Sequence, residues 1–342
     1  MSEKLYFRPI PCSDPARPET ALSLAGGWLW FDSVEVLSRD DAPRIIPVSE
    51  VPAEVLTRLT APRGIVAGLD MARPNLMGIL NTTPDSFSDG GQFERPEAAL
   101  EHALGMVADG ADIIDVGGES TRPGAAYVIE DEEIRRTAPV IAAIRNGSSV
   151  PISIDTRKAR VADQAVAAGA TLINDVYAFT HDPKLVAVAK ETCARVCLMH
   201  AQGDPEVMQE NPNYENVLLD VYDFLEERVA FAVAQGIARE KIIVDPGIGF
   251  GKTVAHNLSL LERLSLFHAL GCPVLLGASR KRFIGTIGQV PDAQDRAPGS
   301  IAVALGGIAQ GMQITRVHDI KETRQALALW QAVHGEESSY DA

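Results

Sequence analysis

The chain has 342 residues, is 46% hydrophobic and carries a net charge of −15, as expected of a globular protein of one large or two ordinary domains. No apolar run reaches the ~18 residues of a membrane span, so no membrane partner is expected. The acidic balance argues against nucleic acid as the main partner, because phosphate backbones are gripped by clustered Lys and Arg, and it leaves a small anionic ligand open.

Residues 1–73 differ in texture from the rest. Prolines are scattered through them, a Gly-Gly pair precedes the aromatic run Trp28-Leu29-Trp30-Phe31, and Val34-Glu35-Val36-Leu37 alternates. This predicts a small N-terminal extension with a strand or hairpin and a short helix near Pro52 to Leu59. No chemistry attaches to it, and its aromatics suit packing either on the main domain or on a second subunit. The first residues show no apolar signal-peptide core, and four cysteines without framework spacing suit a reducing cytoplasm. Cys193 and Cys197 are expected as buried thiols rather than metal ligands.

From Leu76 onward the pattern is an apolar strand followed by an amphipathic, Ala-rich helix. The strands read as Leu76 to Asn81, Ala111 to Gly117, Pro151 to Asp155, Thr171 to Val176, Arg195 to His200, Lys241 to Asp245, Pro273 to Gly277 and Gln313 to Val317. Helical spacing fills the intervals, as in Glu130 to Arg145 and Tyr214 to Gln235. Eight such units over residues 74–335, near the ~250 residues typical of the fold, indicate an α/β protein of the (β/α)8 TIM-barrel type; one miscounted strand would leave an open sheet. Residues 336–342 read as a polar tail.

A parallel barrel keeps its chemistry at the C-terminal strand ends, and here every strand ends in a polar or ionisable residue. The first strand stops at Asn81 in a loop rich in hydrogen-bonding groups. Asp115, then Asp155, then Asn174-Asp175, then Met199-His200, then Asp245 follow at successive strand ends. Helix capping would account for some of these, with Asp155, Asp175 or Asp319 as caps, but not for Arg, Lys and Asn. The cations Arg280, Lys281, Arg282, Arg316 and His318 cluster after the last two strands, where phosphate sites of such barrels commonly form. A phosphorylated substrate is therefore expected. Asp155, Asn174 and Asp245 offer acceptors and a bidentate amide suited to a donor-rich heterocycle.

Two motifs fail on inspection. Gly247 to Thr253 resembles a nucleotide P-loop, but Pro246 takes its first glycine position, and Lys252 stands where a dinucleotide fingerprint needs glycine. The glycines are expected to let backbone approach a flat ligand. His200 reads as a hydrogen-bonded structural histidine.

Taken together, Asn81 to Gly91, Asp115 to Ala125, Ile154-Asp-Thr156, Ile173-Asn-Asp-Val176, Leu198-Met-His200, Asp245 to Lys252, Ser279-Arg-Lys281 and Arg316-Val-His-Asp319 resemble the dihydropteroate synthase family, in order and at all eight strand ends. The resemblance implies condensation of 6-hydroxymethyl-7,8-dihydropterin diphosphate with p-aminobenzoate to 7,8-dihydropteroate and pyrophosphate, in folate biosynthesis, by a homodimer. It implies that Asn81 binds Mg²⁺ with the diphosphate, and that Arg316 and His318 hold the diphosphate. Asp155, Asn174, Asp245 and Lys281 would hold the pterin, with Met199 and Phe250 lining its slot. Thr121 and Arg122 would help close the site, and Phe87 and Pro123 would border the p-aminobenzoate pocket. Departures are Thr82, Ala201 and Arg282; the extension lies outside the resemblance. Two alternatives are a pterin-binding methyltransferase serving a corrinoid protein, which has no use for a diphosphate site, and a catalytically silent paralogue.

Overall fold

The computed structural model describes residues 4–82, 95–120, 127–203 and 212–334. Phe87, Thr121, Arg122, Pro123 and the tail lie outside the described residues.

Eight parallel strands form the central sheet. They are β8 (Asn75–Asn81), β9 (Ile113–Gly117), β10 (Ile152–Asp155), β11 (Leu172–Asp175), β12 (Arg195–Met199), β13 (Ile242–Asp245), β14 (Leu275–Leu276) and β15 (Ile314–Val317). Their order, β13-β12-β11-β10-β9-β8-β15-β14, becomes a ring through one parallel bridge, Val244 to Val274. At that seam Val274 also exchanges hydrogen bonds with the backbone and side chain of Gln313, at 3.1 and 2.8 Å. The helices around the ring are α2 (Arg95–Ala108), α3 (Glu130–Gly147), α4 (Ala159–Ala168), α5 (Leu185–Glu191), α6 (Val217–Ala234), α7 (Val254–Glu262), α8 (Arg282–Gly288), α9 (Ala297–Ile308) and α10 (Ile320–Val333). The strand count read from the sequence is the one found, with ends shifted by up to two residues, as expected where apolar runs pass into turns.

Residues of opposite pleat divide cleanly. Ile114, Ile154, Ile173, Val196 and Val244 pack outward under the helices. Met77, Ile113, Leu172, Cys197, Ile243, Leu275 and Ile314 fill the barrel. They meet a plug from the extension: β6 (Ile65–Val66) and β7 (Leu69–Asp70) form a hairpin whose Val66, Ala67 and Leu69, with Met71, complete that inner cluster. Ala67 and Gly68, both at positive φ (53° and 86°), form its two-residue turn, the geometry whose twist matches paired strands.

The rest of the extension is β1 (Tyr6–Pro9), β2 (Leu22–Ser23), β3 (Trp30–Phe31), β4 (Ser33–Leu37), β5 (Arg44–Pro47) and α1 (Ala53–Thr60). The antiparallel sheet β1-β4-β5 lies against the flank formed by α6 and the 3₁₀ turn Leu264–Leu270. Tyr6 meets Tyr222 edge-on at 5.4 Å and donates its hydroxyl to Asp223 at 2.9 Å. Lys4 and Arg39 pair with the same carboxylate at 2.6 and 2.8 Å. Glu35, buried despite its place in an alternating strand, accepts from Arg8 and from Arg263 of the barrel. Trp28 donates to the Ile308 carbonyl at 3.1 Å, so this aromatic packs on the barrel. The buried Arg63 donates to carbonyls of Arg58, Ala61 and His268, tying the end of α1 to the end of the 3₁₀ turn. All four cysteines are free thiols; Cys197 and Cys272 are buried, whereas Cys193 is exposed, contrary to its expected burial. Among the described residues no helix is long and apolar enough to cross a membrane.

Leu69 is 2% exposed in the plug, so Leu69→Ala should destabilise the protein by about 2–5 kcal/mol. A urea unfolding midpoint unchanged by the substitution would show that the hairpin does not close the barrel.

Candidate active site

Strand periodicity decides which side chains reach the mouth of the barrel. Two residues beyond Ile113, Leu172, Cys197, Ile243, Leu275 and Ile314 stand Asp115, Asn174, Met199, Asp245, Gly277 and Arg316. Asp155 ends β10 two beyond Ser153, and Asn81 ends β8. A polar layer thus sits one pleat above an apolar one, walled from the solvent below by the plug.

Arg316 is the centre of that layer. Its Nε donates to Asp115 Oδ2 at 2.6 Å and its Nη2 to Asp155 Oδ2 at 2.9 Å. Asn174 donates its amide to the same Asp115 oxygen at 3.2 Å. The other oxygens, Asp115 Oδ1 and Asp155 Oδ1, are buried with no hydrogen-bond partner among the described residues. A buried unsatisfied acceptor costs about 1–3 kcal/mol, so these two oxygens favour a ligand that donates. Burial pushes the Asp155 carboxyl up to about 7, against the pull of Arg316. Burial also opposes the charge of Arg316, but Asp115 and Asp155 together hold it above arginine's ordinary value.

Across the mouth, burial raises the Asp245 carboxyl, with Lys281 opposing, and one of its oxygens accepts from Gly247 N at 2.7 Å. Burial pulls the Lys281 ammonium down to about 7, Asp245 opposing. Lys281 donates to the Ile248 carbonyl and lies 4.2 Å from the centroid of the Phe250 ring. Met199 approaches Gly247, where an added Cβ would lie 3.3 Å from its Cγ. Ser279 Oγ lies 3.0 Å from His318 Nδ1 and accepts from His318 N at 3.2 Å. The Ser279 hydroxyl thus holds both the backbone and the ring of His318 at the end of β15.

Several readings of the sequence change in this light. Asp155, Asp175 and Asp319 cap no helix: α4 and α5 start without a side-chain cap, and Asp319 makes no cap bond. Asp175 instead accepts from Tyr177 N and Phe179 N, at 2.9 and 2.6 Å. Arg280, grouped with the anion-facing cations, is committed to Asp319 through two nitrogens while its backbone takes φ 58°. The glycines after β13 also serve close approach to protein: a Cβ at Gly247 would lie 1.9 Å from His200 O, one at Gly251 2.4 Å from Gln202 O, and one at Gly249 2.8 Å from Lys281 Cδ. Asp115 carried no role in the sequence reading, yet it is the closer partner of Arg316. Its signal was its place two residues beyond Ile113, on the inward face.

Buried acceptors around one arginine, at the C-terminal mouth of a parallel barrel, define an enzyme for a small donor-bearing ligand. The family model described as pterin binding enzyme matches residues 77–318. The dihydropteroate synthase of Escherichia coli (strain K12) is 47% identical over 264 residues, covering 77% of this chain and 93% of that protein. The Yersinia pestis dihydropteroate synthase, solved with a sulfonamide drug complex, superposes with a TM-score of 0.73 at 47% identity, over 78% of this chain and 96% of that one. The Xanthomonas albilineans dihydropteroate synthase with 4-aminobenzoic acid gives 0.74 at 44% identity, over 79% and 97%. The chain belongs to the pterin-binding enzyme family, in its dihydropteroate synthase branch. The family model's match begins after the extension.

Removing the guanidinium leaves Asp115 and Asp155 facing each other. The Asp155 carboxyl is raised from 3.8 to about 7, so its penalty on stability is absent below the unfolded value, grows as pH rises between the two values and is full above about 7. Arg316→Met should therefore destabilise by about 3–5 kcal/mol near pH 8, with the loss shrinking toward pH 4. Urea midpoints that fall equally at both pH values would contradict this charge balance.

Proposed function

We propose that the barrel joins 6-hydroxymethyl-7,8-dihydropterin diphosphate to p-aminobenzoate, giving 7,8-dihydropteroate and pyrophosphate, a step of folate biosynthesis. The observation that carries the reading is the pair of partnerless acceptor oxygens on Asp115 and Asp155, beside the Asn174 amide, in a barrel similar along its whole length to dihydropteroate synthases. A pterin ring edge presents ring N–H and amino donors that suit such acceptors.

In the reaction the C–O bond from the pterin methylene to the diphosphate breaks, the arylamine nitrogen bonds to that carbon, and the amine gives up a proton. Positive charge grows on the pterin and negative charge on the leaving group. Asp155 stabilises the first, Arg316 and His318 the second, so the preset dipoles match the charge separation. Asp245 and Lys281 orient the ring between Met199 and Phe250. No protein nucleophile is required. Asn81 supplies one amide oxygen at the end of β8, and among the described residues no cluster of His, Cys, Asp or Glu offers a complete metal cage. That donor set fits Mg²⁺ carried in by diphosphate oxygens and water. When bound, the ion would neutralise charge on the departing pyrophosphate.

We also propose a cytoplasmic homodimer. Four free thiols support the compartment. Supporting the dimer, α9 carries no charged residue from Ala297 to Ile308, and Leu329 and Val333 of α10 are 63% and 80% exposed.

Incubation with the pterin diphosphate and Mg²⁺ should release pyrophosphate only when p-aminobenzoate is present, with pteroate as the product. Asn81→Ala should lower the rate by orders of magnitude, and an unaffected rate would remove Asn81 from the metal site. Asp155 must be ionised to stabilise the positive charge growing on the pterin and Lys281 protonated to hold the ring as a cation, and both titrate near 7. The kcat/KM profile for the pterin substrate should thus fall on both sides of about pH 7. A profile flat across two pH units would disprove these roles.

A further inference from the structure

Lys252 is 3% exposed, and all four of its polar partners are uncharged. Its Nζ lies 2.8 Å from Gly247 O, 3.0 Å from Phe250 O, 2.9 Å from His200 Nδ1 and 3.4 Å from His200 O. Burial and then the Lys252 charge hold the His200 ring well below histidine's ordinary value, and the neutral ring has one nitrogen free to accept; an ammonium at 2.9 Å selects Nδ1 for that role. With Nδ1 as acceptor, three close acceptors match the three N–H bonds of an ammonium; a neutral amine has two N–H bonds and would need the ring to donate Nδ1–H to its lone pair. Burial and the nearby Lys281 charge pull the Lys252 ammonium well below lysine's usual range, with the Asp245 carboxylate opposing them.

The acceptors belong to the loop that shapes one side of the mouth. Other hydrogen bonds tie the loop to its surroundings: Gly249 N donates to Asn257, Gly251 O accepts from Tyr214, Gly247 N donates to Asp245, and within the loop Phe250 N donates to Gly247 O at 3.2 Å. Among the described residues, Lys252 alone reaches the carbonyls of Gly247 and Phe250 together with β12's exit at His200. Between those two carbonyls lie Ile248 O and the Phe250 ring, the two groups against which Lys281 rests.

We infer that Lys252 is a positioning residue: its ammonium fills a cage of two loop carbonyls and the His200 ring as a bound cation would, and so fixes Ile248, Phe250 and through them Lys281. The inference rests on the proposed reaction for its activity readout and goes beyond it in assigning an internal cation site to a residue that touches no substrate. A one-ångström displacement of a substrate-holding group can cost on the order of 100-fold in rate.

The test uses Lys252→Ala, Lys252→Met and the wild-type enzyme. Pteroate formation by Lys252→Ala should fall on the order of 100-fold in kcat/KM and recover in a saturable way with methylammonium or propylammonium chloride. Tetramethylammonium chloride, which has no N–H, should restore nothing, and Lys252→Met, which fills the space without charge, should stay low. Near wild-type activity of Lys252→Met overturns the proposal, as does a folded Lys252→Ala that no primary ammonium improves. Should Lys252→Ala fail to fold, NMR of wild-type protein with nitrogen-labelled lysines decides. The expected signal is an exchange-protected ammonium with cross-peaks to the His200 ring, and a neutral amine there overturns the cage. That readout needs no substrate, so it separates failure of the cage from failure of the proposed reaction, in which the wild-type enzyme would form no pteroate.

Discussion

Arg316 between Asp115 and Asp155 is the interaction on which the mouth of this barrel depends. Two carboxylates on neighbouring strands, both cut off from bulk water, would repel each other and take up protons. One planar cation with several N–H groups spans both, and it leaves one oxygen of each carboxylate unspent. The fold thereby stores acceptor capacity in a low-dielectric place, where a hydrogen bond to a ligand counts for more than it does in water. Removing the cation, the acceptors or the dry surroundings would each undo the arrangement.

The loops behind this layer show a related device: at three places a cation gathers backbone carbonyls that converge from separate turns. Lys252 takes the carbonyls of the loop after β13, Arg63 those at the ends of α1 and the 3₁₀ turn, and Arg296 those of Arg280, Val290 and Pro291. Each is a short-range answer to the cost of leaving a buried carbonyl unpaired. In the Arg280 case the backbone is also held in the left-handed region, with its N–H on Ser300 and its side chain on Asp319. That geometry links the loops after β14 and β15, which carry Lys281 and His318.

The extension and the barrel are one packed body. The β6–β7 hairpin supplies the apolar floor on which the charged layer stands, and the three-stranded sheet covers the α6 flank through Tyr6, Glu35 and Arg39. Its pairs with Asp223 and Arg263 draw on barrel residues that would otherwise face water.

The sequence alone determined the number and order of the strands, because apolar runs of strand length alternating with helical periodicity admit few other folds. It also determined which residues end those strands, since the step from apolar to polar is local, and Asp155, Asn174, Asp245, Lys281, Arg316 and His318 were legible on that ground. Tertiary structure decided everything that depends on partners distant in sequence. Asp115 became the closer partner of Arg316, Arg280 turned away to Asp319, Lys252 turned inward to His200, and Glu35 was buried under Arg263. A charged side chain is free to satisfy itself with any group the fold brings near, and a single sequence states only its own chemistry, not the neighbour that will meet it.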